Sequence, residues 1–204
     1  MSNTFNDKIE KHPLKPFISP EVKVMMIGSF PPAHSKWNME FYYPNFQNDM
    51  WRILGLVFFE NKDYFLVDDK KSFDMNLLKS TLTHKGIGIA DMGQDVIRLK
   101  NNASDKFLQI VNPLNVSAIL DQMPLCHTFI TTGEKATETL LLQFIDKIKH
   151  PPVGGCISFN YGERKINLYR MPSSSRAYPM ALVKKAAIYK QCFQEIGLVC
   201  GDDL

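Results

Sequence analysis

Apolar and polar positions along this chain fall into two kinds of stretch. Short, near-continuous apolar runs occupy Val22-Lys23-Val24-Met25-Met26-Ile27, Gly86-Ile87-Gly88-Ile89-Ala90-Asp91 and residues 127–131. Each is bounded by glycine or a polar residue and predicts a strand buried on both faces. Two further runs, 156–160 and 165–169, flank Tyr161-Gly162 and predict a hairpin. Between these runs the apolar residues take helical spacing. Trp51, Leu54, Val57 and Phe58 predict a helix over 48–59, with Asn48 or Asp49 at its cap. Further helices are predicted over 73–84, 114–122, 134–148 (stopped by Pro151-Pro152) and 181–196. The last carries Leu182, Ala186, Tyr189 and Phe193 on one face. The segment after Asp91, with Arg98, Asn101, Asn102, Ser104 and Asp105, shows neither period and reads as a loop.

Alternating strands and helices predict one α/β domain over residues 1–204. Its expected architecture is a three-layer α/β/α sandwich with a mostly parallel central sheet. Ligands of such sheets sit beyond the C-terminal strand ends, where Gly28, Asp91, Gly133 and Pro172 fall. Residues 1–16 and 201–204 read as loose ends.

Composition narrows the class. A chain of 204 residues, 45% hydrophobic and 22% charged, can bury a core without a disulfide or metal staple. No apolar run approaches the ~20 residues of a membrane span. The N-terminus has no apolar signal core, so a cytoplasmic protein, expected as a monomer, is the default. Cys126, Cys156, Cys192 and Cys200 are scattered, and the histidines His12, His34, His84, His127 and His150 lack ligand spacing. Reduced thiols and no metal or other cofactor are expected. The net charge of +3 decides nothing, but its distribution is uneven. Between 147 and 190 lie Lys147, Lys149, Arg164, Lys165, Arg170, Arg176, Lys184, Lys185 and Lys190, against Glu163 alone. That bias suits either a phosphate-facing surface or two solvated surface elements.

Two segments carry the chemistry. The first is Gly28-Ser29-Phe30-Pro31-Pro32, followed by Tyr42-Tyr43 and Asn48-Asp49-Met50-Trp51. The second is Met171-Pro172-Ser173-Ser174-Ser175-Arg176. Both follow a predicted strand, and both place small, stiff or hydroxyl residues where a backbone could approach a phosphate. The first lacks the lysine of a P-loop and the glycine spacing of a dinucleotide fold, which argues against nucleotide hydrolysis. Thr132-Gly133-Glu134-Lys135 would offer backbone N–H groups to an anion, or would simply start a helix.

The first segment resembles the first motif of the uracil-DNA glycosylase superfamily. It is most similar to the hypoxanthine-DNA glycosylase branch, near the mismatch-specific uracil glycosylases. That branch reads Gly-Ser-x-Pro, a Tyr-Tyr pair, then Asn-x-Phe-Trp; here Met50 stands in place of the phenylalanine. The segment 86–91, with Arg98 and Asp105, resembles the middle Gly-Ile-Ala-x-x-Asp segment with looser spacing. Thr132-Gly133-x-Lys135-Ala136 resembles a Gly-x-Lys-Ala segment, and residues 171–175 resemble Leu-Pro-Ser-Thr-Ser. The matches lie in order from residue 22 to about residue 193.

The resemblance implies a monofunctional, metal-free DNA glycosylase. Its substrate would be DNA holding a deaminated base, hypoxanthine or uracil, and its place base-excision repair. Extruding a base costs a few kcal/mol, and an aromatic face must receive it. Gly28, Ser29, Phe30, Pro31, Tyr42 and Tyr43 would form the base pocket, with Tyr43 or Tyr42 as the stacking ring. Pro172, Ser173, Ser174, Ser175, Arg176 and Lys135 would hold DNA, with Arg176 or Tyr178 as a wedge into the vacated stack. Efficient uracil enzymes have an aspartate where Phe30 stands and a histidine where Met171 stands. In the hypoxanthine branch the catalytic role moves to the asparagine, here Asn48. Asp49 and Asp91 are the nearest carboxylates able to activate water. Plainer roles stay open: tyrosines as packing, serines as a turn, Asn48 as a cap, the aspartates as caps or surface. So does a catalytically weak or inactive module that binds DNA or a nucleotide on the same fold.

Overall fold

The computed structural model describes residues 9–68, 71–99, 107–144 and 150–199. Its centre is a five-stranded sheet in the order β3-β2-β6-β8-β7. The strands are β2 (Val24–Gly28), β3 (Ile87–Asp91), β6 (Thr128–Thr132), β7 (Cys156–Tyr161) and β8 (Arg164–Met171). Every residue of β2, β3 and β6 is buried, as both-face burial of an apolar run requires. β3, β2, β6 and β8 run parallel. The sheet is mixed rather than uniformly parallel, because the hairpin through Gly162 returns β7 antiparallel to β8.

Helices cover both faces. On one face, α1 (Met50–Phe59), α2 (Met75–Lys85) and α5 (Leu182–Glu195) pack Trp51, Leu54, Leu78, Tyr189 and Phe193 onto Val24, Met26, Ile89 and Ile130. On the other, α3 (Val116–Leu120) and α4 (Glu134–Leu141) pack Leu120, Ala136 and Leu140 onto Met25, Ile27, Phe129 and Leu168. Each fully buried side chain of this size contributes about 1.5–3 kcal/mol of transfer free energy. Asp74 accepts from the Asn76 and Leu77 N–H groups to start α2, and Asn115 accepts from Ala118 to start α3. α4 ends at Leu141, short of the predicted 134–148. Beyond it Gln143 turns inward, donating to the Leu114 carbonyl and accepting from the Val116 N–H. Residues 145–149 lie outside the described residues.

A second, three-stranded antiparallel sheet lies where the sequence reads as loop and loose end. It orders β1 (Ile9–Lys11), β4 (Gly93–Arg98) and β5 (Leu108–Pro113) as β1-β4-β5. Only Gly93 and Val96 of β4 and Leu108 of β5 are buried, so no apolar run announces these strands. Residues 9–17 are therefore not loose. The His12 N–H donates to Gln94 O at 2.7 Å. Phe17 exchanges both backbone hydrogen bonds with Ile89, covering the outer edge of β3. Residues 1–8, 200–204, Asn101, Asn102, Ser104 and Asp105 lie outside the described residues. Among the described residues no helix is long and apolar enough to cross a membrane.

Candidate active site

The C-terminal ends of β2, β3, β6 and β8 open onto one cleft of about 360 Å³. That volume suits a small organic ligand. Gly28, Asp91 and Thr132 sit at its base. The first loop (Ser29 to Pro32) forms one side, Tyr43, Pro44, Asn45, Gln47 and Asn48 another, and Ser173 to Ala177 the third.

The first loop is fixed from below by the second sheet. The N–H groups of Met92 and Gly93 donate to the Gly28 and Ser29 carbonyls, each at 2.9 Å. Arg98, paired through Nε with Glu10 at 3.0 Å, donates to the Pro31 carbonyl at 2.6 Å. Its guanidinium carbon also lies 5.3 Å from the Phe30 ring centroid. Trp37 Nε1 donates to the Pro32 carbonyl at 2.8 Å. Gly28 has a strict steric reason to be glycine, since a Cβ there would overlap the Asp91 carboxylate and lie 3.4 Å from Tyr43 Oη.

Tyr43 holds the second side. Its backbone is left-handed, with φ 48°, a conformation that costs a non-glycine residue about 1–3 kcal/mol. The ring is fixed at both ends by an Oη···Thr132 Oγ1 hydrogen bond of 2.9 Å and an edge contact with Trp51. Asn48 precedes α1, and its Oδ1 accepts from the Met50 N–H at 2.9 Å. Its amide nitrogen makes no hydrogen bond among the described residues. Arg52, stacked on Phe46, donates to the Phe46 carbonyl at 2.8 Å and the Asn48 carbonyl at 3.3 Å, bracing this turn from behind. Asn48, one residue before the N-cap Asp49, thus takes the first N–H of α1 and lines the cleft at once.

Asp91 is the one carboxylate lining the cleft among the described residues. Its Oδ2 lies 3.0 Å from His12 Nε2, and both side chains are nearly sealed, at 8% and 2% exposure. The His12 ring stacks on Tyr42 and meets Phe30 edge-on.

Asp49, one residue from Asn48, is arranged differently. It is buried and does not line the cleft. Oδ1 takes Arg176 Nε at 3.0 Å, Oδ2 takes Lys185 Nζ at 3.2 Å, and its N–H donates to the Ser174 carbonyl at 3.0 Å. Lys185, fully buried, also donates to the Ser175 carbonyl at 2.8 Å. This latch joins the start of α1, the serine loop and α5. The Ser173 and Ser175 hydroxyls accept the N–H groups of Ser175 and Ala177, and the Tyr189 hydroxyl donates to the Pro172 carbonyl.

Of the sequence-predicted residues, the cleft brings together Gly28, Ser29, Phe30, Pro31, Tyr43, Asn48, Asp91, Ser173, Ser174, Ser175 and Arg176. Pro172 and Met171 are buried beneath the serine loop. Tyr42 is not at the cleft: it is 2% exposed, and its hydroxyl donates to the Lys15 carbonyl at 3.0 Å. Burial, then the charge of Asp91, pushes that hydroxyl well above the ordinary tyrosine range. Asp49 faces its two cations, and Lys135 lines a separate groove beside Leu99, Leu108 and Leu142. Part of the basic stretch 147–190 is internal wiring, while Lys165 and Lys184 are exposed. Arg164 donates to the carbonyls of Leu120, Met123 and Cys126, Arg170 to that of Pro151, and Lys185 closes the latch. Lys147 and Lys149 lie outside the described residues. Sequence reasoning missed His12 and Lys185 as parts of the site, and gave Thr132 only as part of a turn that would bind an anion or start a helix. Lys185 left a signal, since it falls on the apolar stripe between Leu182 and Tyr189 where an unpaired lysine would not survive. His12 left none.

No family model matches the chain, and no curated protein does. A solved structure does: that of a candidate uracil DNA glycosylase from Methanosarcina acetivorans, determined by NMR in solution. It superposes with a TM-score of 0.59 at 20% identity, covering 90% of this chain and 98% of that one. The two chains share a fold.

Proposed function

We propose that this protein is a DNA glycosylase that hydrolyses the N-glycosidic bond of a deaminated base, hypoxanthine or uracil, and leaves an abasic site. The observation that carries the reading is the convergence of Phe30, Tyr43, Asn48 and Asp91 on one cleft with the serine loop at its rim. Tyr43 gives a fixed ring for the extruded base to stack on, worth about 1–3 kcal/mol. The serine loop and Arg176 meet the flanking phosphates. The terminal guanidinium nitrogens of Arg176 make no hydrogen bond among the described residues, while its Nε is tied to Asp49.

In the reaction the glycosidic electron pair leaves with the base, which takes up a proton from solvent. Water supplies the new C–O bond to the sugar, and Asp91 accepts the proton that water loses. Asn48 orients the water or the base edge through its amide nitrogen. An amide is no base at neutral pH, so Asp91 is the group that completes the chemistry. Asp49 has no part in it, because both its oxygens are taken by cations.

Single-turnover assays on duplexes containing hypoxanthine or uracil test this. Asn48→Ala is expected to slow base release by roughly tenfold or more, the equivalent of about 1.4 kcal/mol. A wild-type rate in that variant removes Asn48 from the mechanism. The second reading is a module on the same fold that binds damaged DNA without cutting it. Phe30 in the cleft wall and the burial of Met171 favour it, since neither position supplies an acid or base. Tight, salt-sensitive binding of abasic DNA with no base released at long times would decide for it.

A further inference from the structure

We infer that His12 is a positioning residue for the cleft carboxylate: it fixes Asp91 so that one oxygen is tied and the other serves the reaction. This rests on the glycosylase reading of the cleft. The imidazole is held on every side. Its backbone N–H is bonded to Gln94 O at 2.7 Å, and Nδ1 lies 3.1 Å from the Leu14 N–H and 2.8 Å from the Leu14 carbonyl. Tyr42 stacks on it at 5.9 Å and Phe30 meets it edge-on at 5.2 Å. That leaves Nε2 aimed at Asp91 Oδ2, 3.0 Å away. The other oxygen, Oδ1, is the carboxylate atom set against the Cα of Gly28 at the cleft base.

The arrangement has a physical purpose that packing alone would not need. A buried carboxylate with no donor would lack a hydrogen-bond partner and be free to rotate, losing its aim. One donor held by a rigid ring prevents both and leaves the second oxygen available to accept a proton. It is the logic of a base oriented by a third group, delivered by the residue just after β1, far away in sequence. Phe30 then has a second task besides lining the cleft, as part of the wall that holds the imidazole.

Two substitutions separate positioning from packing. His12→Phe keeps an aromatic ring and removes the donor; His12→Gln keeps a donor near the Nε2 position and removes the ring. Positioning predicts that His12→Phe slows single-turnover base release by roughly tenfold or more while affinity for abasic duplex stays within about threefold. It predicts that His12→Gln recovers most of the rate, and that His12→Phe adds no further loss to Asp91→Asn. A full rate in His12→Phe, or a loss in His12→Gln as large as that in His12→Phe, overturns it. Should His12→Phe fail to fold, His12→Gln and His12→Asn replace the pair, since asparagine is too short to place its amide at Nε2; equal rates overturn the inference. The wild-type imidazole is also read directly by nitrogen-edited NMR. An exchange-protected Nε2–H resonance that disappears in Asp91→Ala, which removes the acceptor, supports the coupling, and its absence in the wild type overturns it. Wild-type protein that shows this resonance yet releases no base refutes the glycosylase reading and leaves the His12–Asp91 coupling standing.

Discussion

The start of α1 and the end of β3 each bury an aspartate beside the same cleft, and they hold it in opposite ways. Asp49 has a cation on each oxygen, Arg176 on one and the sealed Lys185 on the other. Asp91 has a single imidazole on one oxygen and glycine beneath the other. A carboxylate neutralised from both sides is a fastener, because protonating it would strand two charges. A carboxylate held from one side keeps a lone pair for work. On the proposed function, sequence distance from Asn48 would point to Asp49 as the reactive acid, and the partners of each group point to Asp91.

Removing each acid should break the molecule in a different place. Asp49→Ala leaves Lys185 buried without a counter-ion and should cost about 3–5 kcal/mol of stability in urea unfolding. A loss below about 1 kcal/mol would show that the latch is not what joins the jaws. Asp91→Asn keeps an acceptor for His12 and should cost only about 0.5–1.5 kcal/mol of stability. Its single-turnover rate should fall roughly a hundredfold or more, as for loss of a general base. Equal stability losses in the two variants would mean that both acids serve as fasteners. Gly28→Ala presses a methyl group onto the Asp91 carboxylate, so stability should drop by about 1–3 kcal/mol, read from the urea midpoint, together with the excision rate. The smallest effect belongs to Arg176→Ala. Its side chain is half exposed, so stability should change by less than about 1 kcal/mol. The salt slope of abasic-duplex binding should shrink by about one unit if Arg176 meets a phosphate.

The main sheet was legible because its strands are unbroken apolar runs, and α1, α2 and α5 because their apolar faces repeat at helical spacing. The second sheet was not. Its strands bury too few positions to interrupt a polar sequence, and what holds β1 is pairing with β4, a partner more than eighty residues away. Pattern within a window cannot report a contact of that range. The same limit explains His12. Nothing near it in the chain marks it as special, and its meaning comes from Asp91. Tyr42 and Tyr43 show a finer limit. Adjacent identical residues part company because Tyr43 turns left-handed and sends its ring to the cleft, whereas Tyr42 points into the core. Pro44 follows directly, but a residue before proline is expected to be extended, so nothing in the sequence announces a left-handed turn at Tyr43.

The latch at Lys185 has a bearing on how this protein would meet a duplex. One amine ties the serine loop to Asp49 at the start of α1, next to Asn48, so on the proposed function the two jaws would approach DNA already set at their working separation. Little ordering entropy would then remain for the protein to lose on binding, and most of the deformation would fall on the nucleic acid. Recognition under those terms is a test of how readily the duplex yields. A weakly paired base swings out at lower cost than a well-stacked one, and on the proposed function the rigid cleft would convert that difference directly into selectivity.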